Sequence, residues 1–302
     1  MRHSYITRRQ MLAGTAGALA GITLTGSCAV SQPKPEKAKT QKPAGPGFKL
    51  GVCDWTIGKR ADPASFEIAK RIGLDGVQVD FGGGENRPTL FNLELQQKLL
   101  QEAKKQGMEI SSMAMSVLNE VPLKSDPRAP AWVNMAIDYC KYPFGAKVIL
   151  LAFFGNGDLR NNEQGINTVV NRLKEIAPRA EKAGVTLGFE SWLSAQQHID
   201  IIERIGSPAV KVYYDVANSH KMGYDIYKEI RQLGKLICEF HLKDYNGLYG
   251  MGSIDFKRVR EAIDEIGYRG WMVMEGTQMP LGVEQSCQYD AKYLRTIFPS
   301  KT

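Results

Sequence analysis

Between Phe48 and the C-terminus, eight short apolar runs alternate with eight amphipathic segments, which predicts an α/β chain folded as a single (β/α)8 TIM barrel. Three observations carry the prediction. The alternation is unbroken, and regular alternation means parallel strands joined by helical crossovers. About 255 residues serve the eight units, the length a closed barrel takes. No Gly-x-Gly-x-x-Gly follows a strand, which disfavours the doubly wound open sheet; Gly82-Gly83-Gly84 is only a loop run.

In chain order, Lys49-Leu50-Gly51-Val52-Cys53-Asp54 opens the series, followed by a helix over 63–72 that Gly73 stops. Gly76-Val77-Gln78-Val79-Asp80-Phe81 is the second strand, and the helix over 92–106 ends at Gly107. Glu109-Ile110-Ser111-Ser112-Met113-Ala114 is the third, with a helix over 129–142. The fourth strand, 147–153, is the most apolar and precedes a helix over 165–182. Strands five to eight are 185–190, 210–215, a run from Leu236 into His241, and 271–275, separated by helices near 196–205, 224–233 and 256–266. A last helix covers 283–297.

The last four strands end alike, each presenting a polar residue where its apolar run stops: Glu190, Asp215, His241 and Glu275. Their separations of 25, 26 and 34 residues are each about one strand-helix unit. In a barrel, the carboxyl ends of different strands converge on one mouth, so the four are expected to meet there. Three carboxylates and an imidazole brought together repel and desolvate unless a cation sits among them. The donor set suits one divalent metal, Mn²⁺, Mg²⁺ or Co²⁺, with Zn²⁺ compatible. The competing reading is that individual acids are loop salt-bridge partners. Aromatics gather at the same ends: Trp55, Phe81, Phe153, Phe154 and Trp192. Of these, Trp192 and Trp55 are expected to stack on a sugar. His198, early in its helix, reads as a surface residue.

With Phe240-His241-Leu242-Lys243-Asp244 ending strand seven, the chain resembles the sugar phosphate isomerase/epimerase family, xylose-isomerase-like barrels that include ketose 3-epimerases, hydroxypyruvate isomerase and inosose dehydratase. The resemblance covers residues 48–298. It implies that Glu190, Asp215, His241 and Glu275 bind the metal, and that Glu190 and Glu275 exchange a substrate proton from opposite faces. A placed carboxylate base and a metal holding the enediolate charge are what proton transfer beside a carbonyl needs. The family often carries His three residues after the strand-six Asp, where this chain has Asn218; His220 is the candidate substitute. Lys243 either binds a substrate hydroxyl or carboxylate or pairs with Asp244, and Asp244 is a candidate to orient a ligand. A metal-dependent isomerase or epimerase acting on a carbohydrate is the leading reading. A lyase or dehydratase of an oxidised sugar or cyclitol is the alternative, and a non-catalytic sugar-binding barrel the third. A trinuclear zinc nuclease needs more histidines than the domain holds.

The 302 residues are 43% hydrophobic, enough for a large core. The formal charge of +7 already resides in residues 1–49, with eight Lys/Arg and one acid; the remaining 31 basic and 31 acidic residues cancel. A neutral domain offers no footprint for nucleic acid. Arg8-Arg9 ahead of a mildly apolar stretch at 11–24, too short to span a bilayer, resembles a twin-arginine export signal, an ordinary leader being the alternative. Ser27-Cys28-Ala29 permits cleavage after Ala29 or lipid attachment at Cys28. The expected division is a signal peptide over 1–29, a Pro/Lys-rich tether over 30–47 and the barrel over 48–302. The expected setting is periplasmic or lipid-anchored. The expected partner is a small-molecule carbohydrate, contact with a membrane comes only through a lipid on Cys28, and a homo-oligomer is left open. Cys53, Cys140, Cys238 and Cys287 lack Cys-x-x-Cys spacing and read as small buried hydrophobes.

Overall fold

The eight apolar runs become eight parallel strands of one closed barrel in the order of the chain, in a computed structural model that describes residues 47–83, 87–276 and 278–300. The elements are β1 (Lys49–Cys53), α1 (Ala64–Ile72), β2 (Gly76–Asp80), α2 (Leu93–Gln106), β3 (Glu109–Met115), α3 (Ala129–Lys141), β4 (Val148–Phe153), α4 (Glu163–Ala183), β5 (Thr186–Ser191), α5 (Ala195–Ile205), β6 (Val210–Asp215), α6 (Val216–Lys221), α7 (Ile226–Leu233), β7 (Ile237–Leu242), α8 (Phe256–Glu265), β8 (Trp271–Met274) and α9 (Val283–Ile297). Closure comes from β8 on β1, with Val52 opposite Met274. Arg8, Arg9, Cys28 and the tether lie outside the described residues. Among the described residues, no helix is long and apolar enough to cross a membrane.

Helix boundaries follow the expected chemistry. Asn92, Asn162, Ser194, Asp225 and Asp255 accept backbone N–H groups at helix starts, and Gly73, Gly107 and Gly184 close helices in the left-handed conformation. One element was not anticipated: α6 follows β6 at once, because the Asp215 side chain caps it by accepting from the N–H groups of Ala217 and Asn218. The eighth strand stops at Met274 rather than Glu275, since Gly276 turns the chain at φ 51°.

Strand residues alternate between two environments. Leu50, Val52, Val77, Val79, Leu187, Phe189, Phe240 and Met272 pack outward in the large core beneath the helices, whereas Ala114, Leu150, Ala152 and Tyr213 fill the barrel interior. Phe81 and Phe153 belong to the outward set. Phe81 packs edge-on to Phe91, and Phe153 stacks on Phe189 at 3.9 Å, so neither faces the mouth. The alternation slips twice. Between Val77 and Val79, Gln78 alone faces Ser111 and Ser112 of β3, and Cys238 of β7 is the extra residue between the pairs Val212 with Ile237 and Tyr213 with Glu239. Such bulges re-aim side chains, and here they coincide with a polar cluster in an otherwise apolar interior.

His198 corrects the expectation of a surface residue. It lies on the stripe Ala195, His198, Ile201, Ile202, Ile205 that α5 buries. Its Nδ1 donates to Ser194 O at 3.0 Å, and its Nε2 lies 3.0 Å from Ser191 Oγ. Burial pulls its ring down to about 4. In an unfolded chain the same ring titrates near about 6.5. Between those values the unfolded state holds the extra proton, so stability present above about 6.5 is lost as pH falls to about 4, by up to about 3 kcal/mol. Denaturant midpoints at neutral and acid pH should show His198→Gln losing less stability than wild type by about this amount; equal losses would refute the assignment.

Candidate active site

The expected quartet assembles. Donor atoms of Glu190, Asp215, His241 and Glu275 all lie within 4.8 Å of one another at the carboxyl ends of β5 to β8. Register accounts for this: Asp215 pairs with His241 across β6 and β7, and Glu275 donates its N–H to Leu242 O at the top of β7. His241 Nδ1 is 2.9 Å from Glu190 Oε1 and 3.5 Å from Glu275 Oε2. Glu190, Asp215 and His241 are buried.

Lys243 reaches the same point. Its Nζ is 2.9 Å from Glu275 Oε2 and 3.8 Å from Asp215 Oδ2, so the expected alternative pairing with Asp244 is not formed. Asp244 instead accepts the N–H groups of Asn246, Ser253 and Ile254. Gly252 passes so near this carboxylate that a side chain there would collide with it. Asp244 therefore organises the loop after β7 and does not orient a quartet residue.

Charge is unevenly shared. Burial lifts Glu190 and pushes Asp215 up to about 8. Burial would lift Glu275 as well, but the Lys243 ammonium and His241 hold it at about 2. Burial lowers the His241 ring, yet Glu190 and Glu275 outweigh this and raise it to about 9. Asp215 Oδ1 is engaged by the start of α6, while its Oδ2 is buried with no hydrogen-bond partner. An orphaned carboxylate oxygen facing two glutamates and an imidazole fits a divalent cation, which would take that oxygen as a ligand.

The mouth is a cavity of about 130 Å³ lined by Glu190, Glu275, Trp55, Arg60, Asn119 and Phe154, among others. Trp55 lines this cavity: its Nε1 donates to Glu275 Oε1 at 3.2 Å, and its ring stands edge-on to His241. Trp192 sits one layer back, edge-on to Phe154 at 5.1 Å with the Arg160 guanidinium over its face. Asn218 is buried and accepts from Tyr245 OH at 2.5 Å, which turns its amide to the loop after β7. His220, the candidate substitute, is exposed on α6 and lines a different cavity with Ala217, Lys221, Tyr245 and Asn246. A two-residue offset on a helix rotates a side chain to a different face.

Sequence reading missed Arg60, Ser116 and Asn119. Arg60, from the loop after β1, binds Asp80 and donates to Ser116 Oγ at 2.8 Å, with its guanidinium over the Trp55 ring. Asn119 Oδ1 accepts from Phe154 N–H at 2.9 Å. All three also line an adjoining cavity of about 320 Å³ with Gly83, Val117 and Glu120. None sits in a periodic pattern; only the strand ends carried a signal.

A family profile described as xylose isomerase-like TIM barrel matches residues 66–297. Among curated proteins, the 2-epi-5-epi-valiolone 7-phosphate 2-epimerase of Actinoplanes sp. is 23% identical over 177 residues, 59% of this chain and 65% of that relative's length. The L-ribulose-5-phosphate 3-epimerase UlaE of Escherichia coli is 25% identical over 226 residues, covering 69% of this chain and 80% of its own. The solved D-psicose 3-epimerase of Clostridium cellulolyticum, crystallised with D-tagatose, superposes with a TM-score of 0.71 at 19% identity, covering 83% of this chain and 99% of that one. That last likeness shows the fold.

The quartet's capacity for metal is directly measurable. Protons on Asp215 and His241 compete with a cation, so binding should release protons at neutral pH and tighten as pH rises towards about 9. Calorimetry with Mn²⁺ in buffers of different ionisation enthalpy should show both effects, with Asp215→Asn binding more weakly. A wild-type protein that takes up Mn²⁺ without proton release would contradict the charge distribution.

Proposed function

The chain belongs to the xylose isomerase-like TIM barrel family, and from that premise we propose that it is a metal-dependent isomerase or epimerase acting on a carbohydrate, moving a proton at the carbon beside a carbonyl. One observation carries the reading: two glutamates, Glu190 on β5 and Glu275 just past the end of β8, meet over one cavity across a shared imidazole, with opposite displacements of their acidities. Environments that push two carboxylates apart separate a base from an acid. Glu275, kept ionised beside Lys243, is free to accept the proton once substrate draws Lys243 away, and Glu190, lifted by burial, is placed to return one. Relatives named as sugar epimerases support the same class of reaction.

Glu190, Asp215, His241 and Glu275 would hold one divalent cation, which when bound would polarise the substrate's carbonyl and offset the negative charge of the enediolate. The chain's own residues supply the rest. Trp55 orients Glu275 through its indole N–H and offers a ring face to the sugar. Lys243 stands ready to hydrogen-bond a substrate oxygen once the cation shares its neutralising role. Phe154 lines the cavity beside Glu190 and limits water.

The adjoining cavity that shares Arg60, Ser116 and Asn119 favours a second reading, elimination from an oxidised sugar or cyclitol. With a leaving group beta to the abstracted proton, the same base would expel it, and the extra polar space would hold that group. Export is part of the proposal. It rests on Arg8-Arg9 and residues 11–24, which lie outside the described residues.

Incubating the protein with Mn²⁺ and a panel of ketohexoses, ketose phosphates and oxidised glycosides in heavy water should place deuterium on the carbon beside the carbonyl. Glu275→Gln and Glu190→Gln should each slow exchange by about 10²–10⁴-fold. Exchange indifferent to both substitutions would remove the two-carboxylate mechanism. Release of a free leaving group instead of an epimer would select the second reading.

A further inference from the structure

We propose that Gln78 is a positioning residue that fixes which ring nitrogen of His241 keeps its hydrogen, leaving the other for the three carboxylates and a cation; the proposal rests on the metal reading above. Gln78 lies inside the barrel on β2, fully buried. Its Oε1 is 2.8 Å from His241 Nε2 and 3.2 Å from the Cys53 thiol, which donates to it. Its Nε2 donates to Ser112 Oγ and to Tyr213 OH, each at 2.9 Å. Both hydroxyls in turn donate to one atom, Glu239 Oε1, at 2.7 and 3.0 Å.

Counting protons fixes the direction of the whole chain. A hydroxyl has a single proton, and Ser112 and Tyr213 each give theirs to Glu239. With an ionised Glu239 as their common acceptor, they can only accept towards Gln78, so the amide turns its NH₂ to them and its carbonyl to His241. The reverse orientation would set a carbonyl against two oxygens without protons and the NH₂ against the Cys53 thiol and the ring. With a carbonyl at Nε2, that nitrogen keeps its hydrogen, and Nδ1, facing Glu190 and Glu275, is the one that gives up its proton when a cation takes its place. A metal-ligating imidazole needs this division, a lone pair on the ligand atom and an N–H held by a partner on the other.

Burial makes the constraint firm. Gln78, Ser112, Tyr213, Glu239 and His241 are at most 1% exposed, so no solvent stands by to replace a broken link. The two register slips bear on the same residues: one sets Gln78 against Ser111 and Ser112, the other inserts Cys238 before Glu239. The bulges thus have a role at the mouth, although they lie deeper in the barrel.

The test uses the full chain with its histidine ring nitrogens labelled with ¹⁵N, metal-free at a pH where the His241 ring carries one proton, and His241→Ala to assign its signals. Wild type should show the Nε2–H form. Gln78→Met, which removes the acceptor but keeps the length, should show a mixture of both forms and bind Mn²⁺ about 10–100-fold more weakly by calorimetry. Gln78→Glu keeps an oxygen towards Nε2 and should recover most of that loss, which a merely structural role would not predict. Should Gln78→Met fail to fold, the pair Ser112→Ala with Tyr213→Phe frees the amide to turn and should give the same mixture. An Nδ1–H ring in wild type, or a Gln78→Met protein with unchanged ring form and Mn²⁺ affinity, overturns the proposal alone. A wild-type Nε2–H ring with no uptake of Mn²⁺ overturns the metal reading and the proposal with it.

Discussion

The crowding of three carboxylates around one buried imidazole is the constraint on which the rest of the mouth depends. Burial alone would drive protons onto all three acids, because a charge loses hydration when it leaves water. Lys243 breaks that symmetry. Its ammonium lies nearer to Glu275 than to Asp215, which leaves one glutamate ionised while Glu190 and Asp215 are lifted. A single lysine cannot balance three negative charges, so the metal-free site keeps protons where a cation would displace them. The bare charge distribution is frustrated, and a ligand that binds only the folded state relieves it, stabilising the fold by about 2.7 kcal/mol at a hundred times its dissociation constant.

The barrel interior supports this arrangement in an unusual way. Small barrels are normally filled by layers of branched apolar side chains; here the middle carries Gln78, Ser112, Tyr213 and Glu239 in one hydrogen-bonded chain. Buried polar networks are acceptable only when each member is satisfied, and Gln78 uses both its oxygen and its NH₂. Space is made by small residues: a side chain on Gly188 would press on Cys238 and Tyr213 at 3.0–3.2 Å. Stability that an apolar filling would have provided is given up for a fixed orientation of one ring.

Legibility in the sequence followed the strand ends. Glu190, Asp215, His241 and Glu275 were readable because each stops an apolar run, and the repeat length supplied the topology that brings them together. Asp54 and Asp80 stop apolar runs equally well, yet they turn elsewhere: Asp54 Oδ2 accepts the N–H groups of Ala61 and Asp80, and Asp80 binds Arg60 and Ser116. Which carboxylate becomes a loop organiser depends on non-periodic neighbours, so pattern alone could not divide the five. Gln78 and Glu239 were hidden for a different reason. Each sits within an apolar run, and the bulges beside them break the period of two by which inward residues are recognised. His198 was legible in principle, since its spacing matches the buried stripe of α5; it was misread because a histidine was counted as polar.

The mouth also divides its work between two kinds of residue, and this decides what a sequence can reveal about the reaction. The ends of strands β5 to β8 supply the four residues proposed as acid, base and cation ligands from positions fixed by register, where a shift of one residue would turn each side chain outward. The loops after β1 and β3 supply Arg60, Ser116 and Asn119, which shape the adjoining cavity and are tied to strand ends, Arg60 and Ser116 to Asp80 and Asn119 to the backbone of Phe154, without being in the sheet themselves. Loops tolerate change that strands do not. On the proposed function, the class of chemistry is therefore written in the part of the chain with a period, and the choice of substrate in the part without one. Two barrels with the same quartet and different first-half loops would transfer a proton in the same way on different molecules. Trp55, which donates to Glu275, and Arg60, which lies over the Trp55 ring and binds Asp80 and Ser116, stand where the strand-end quartet meets the loop-built cavity.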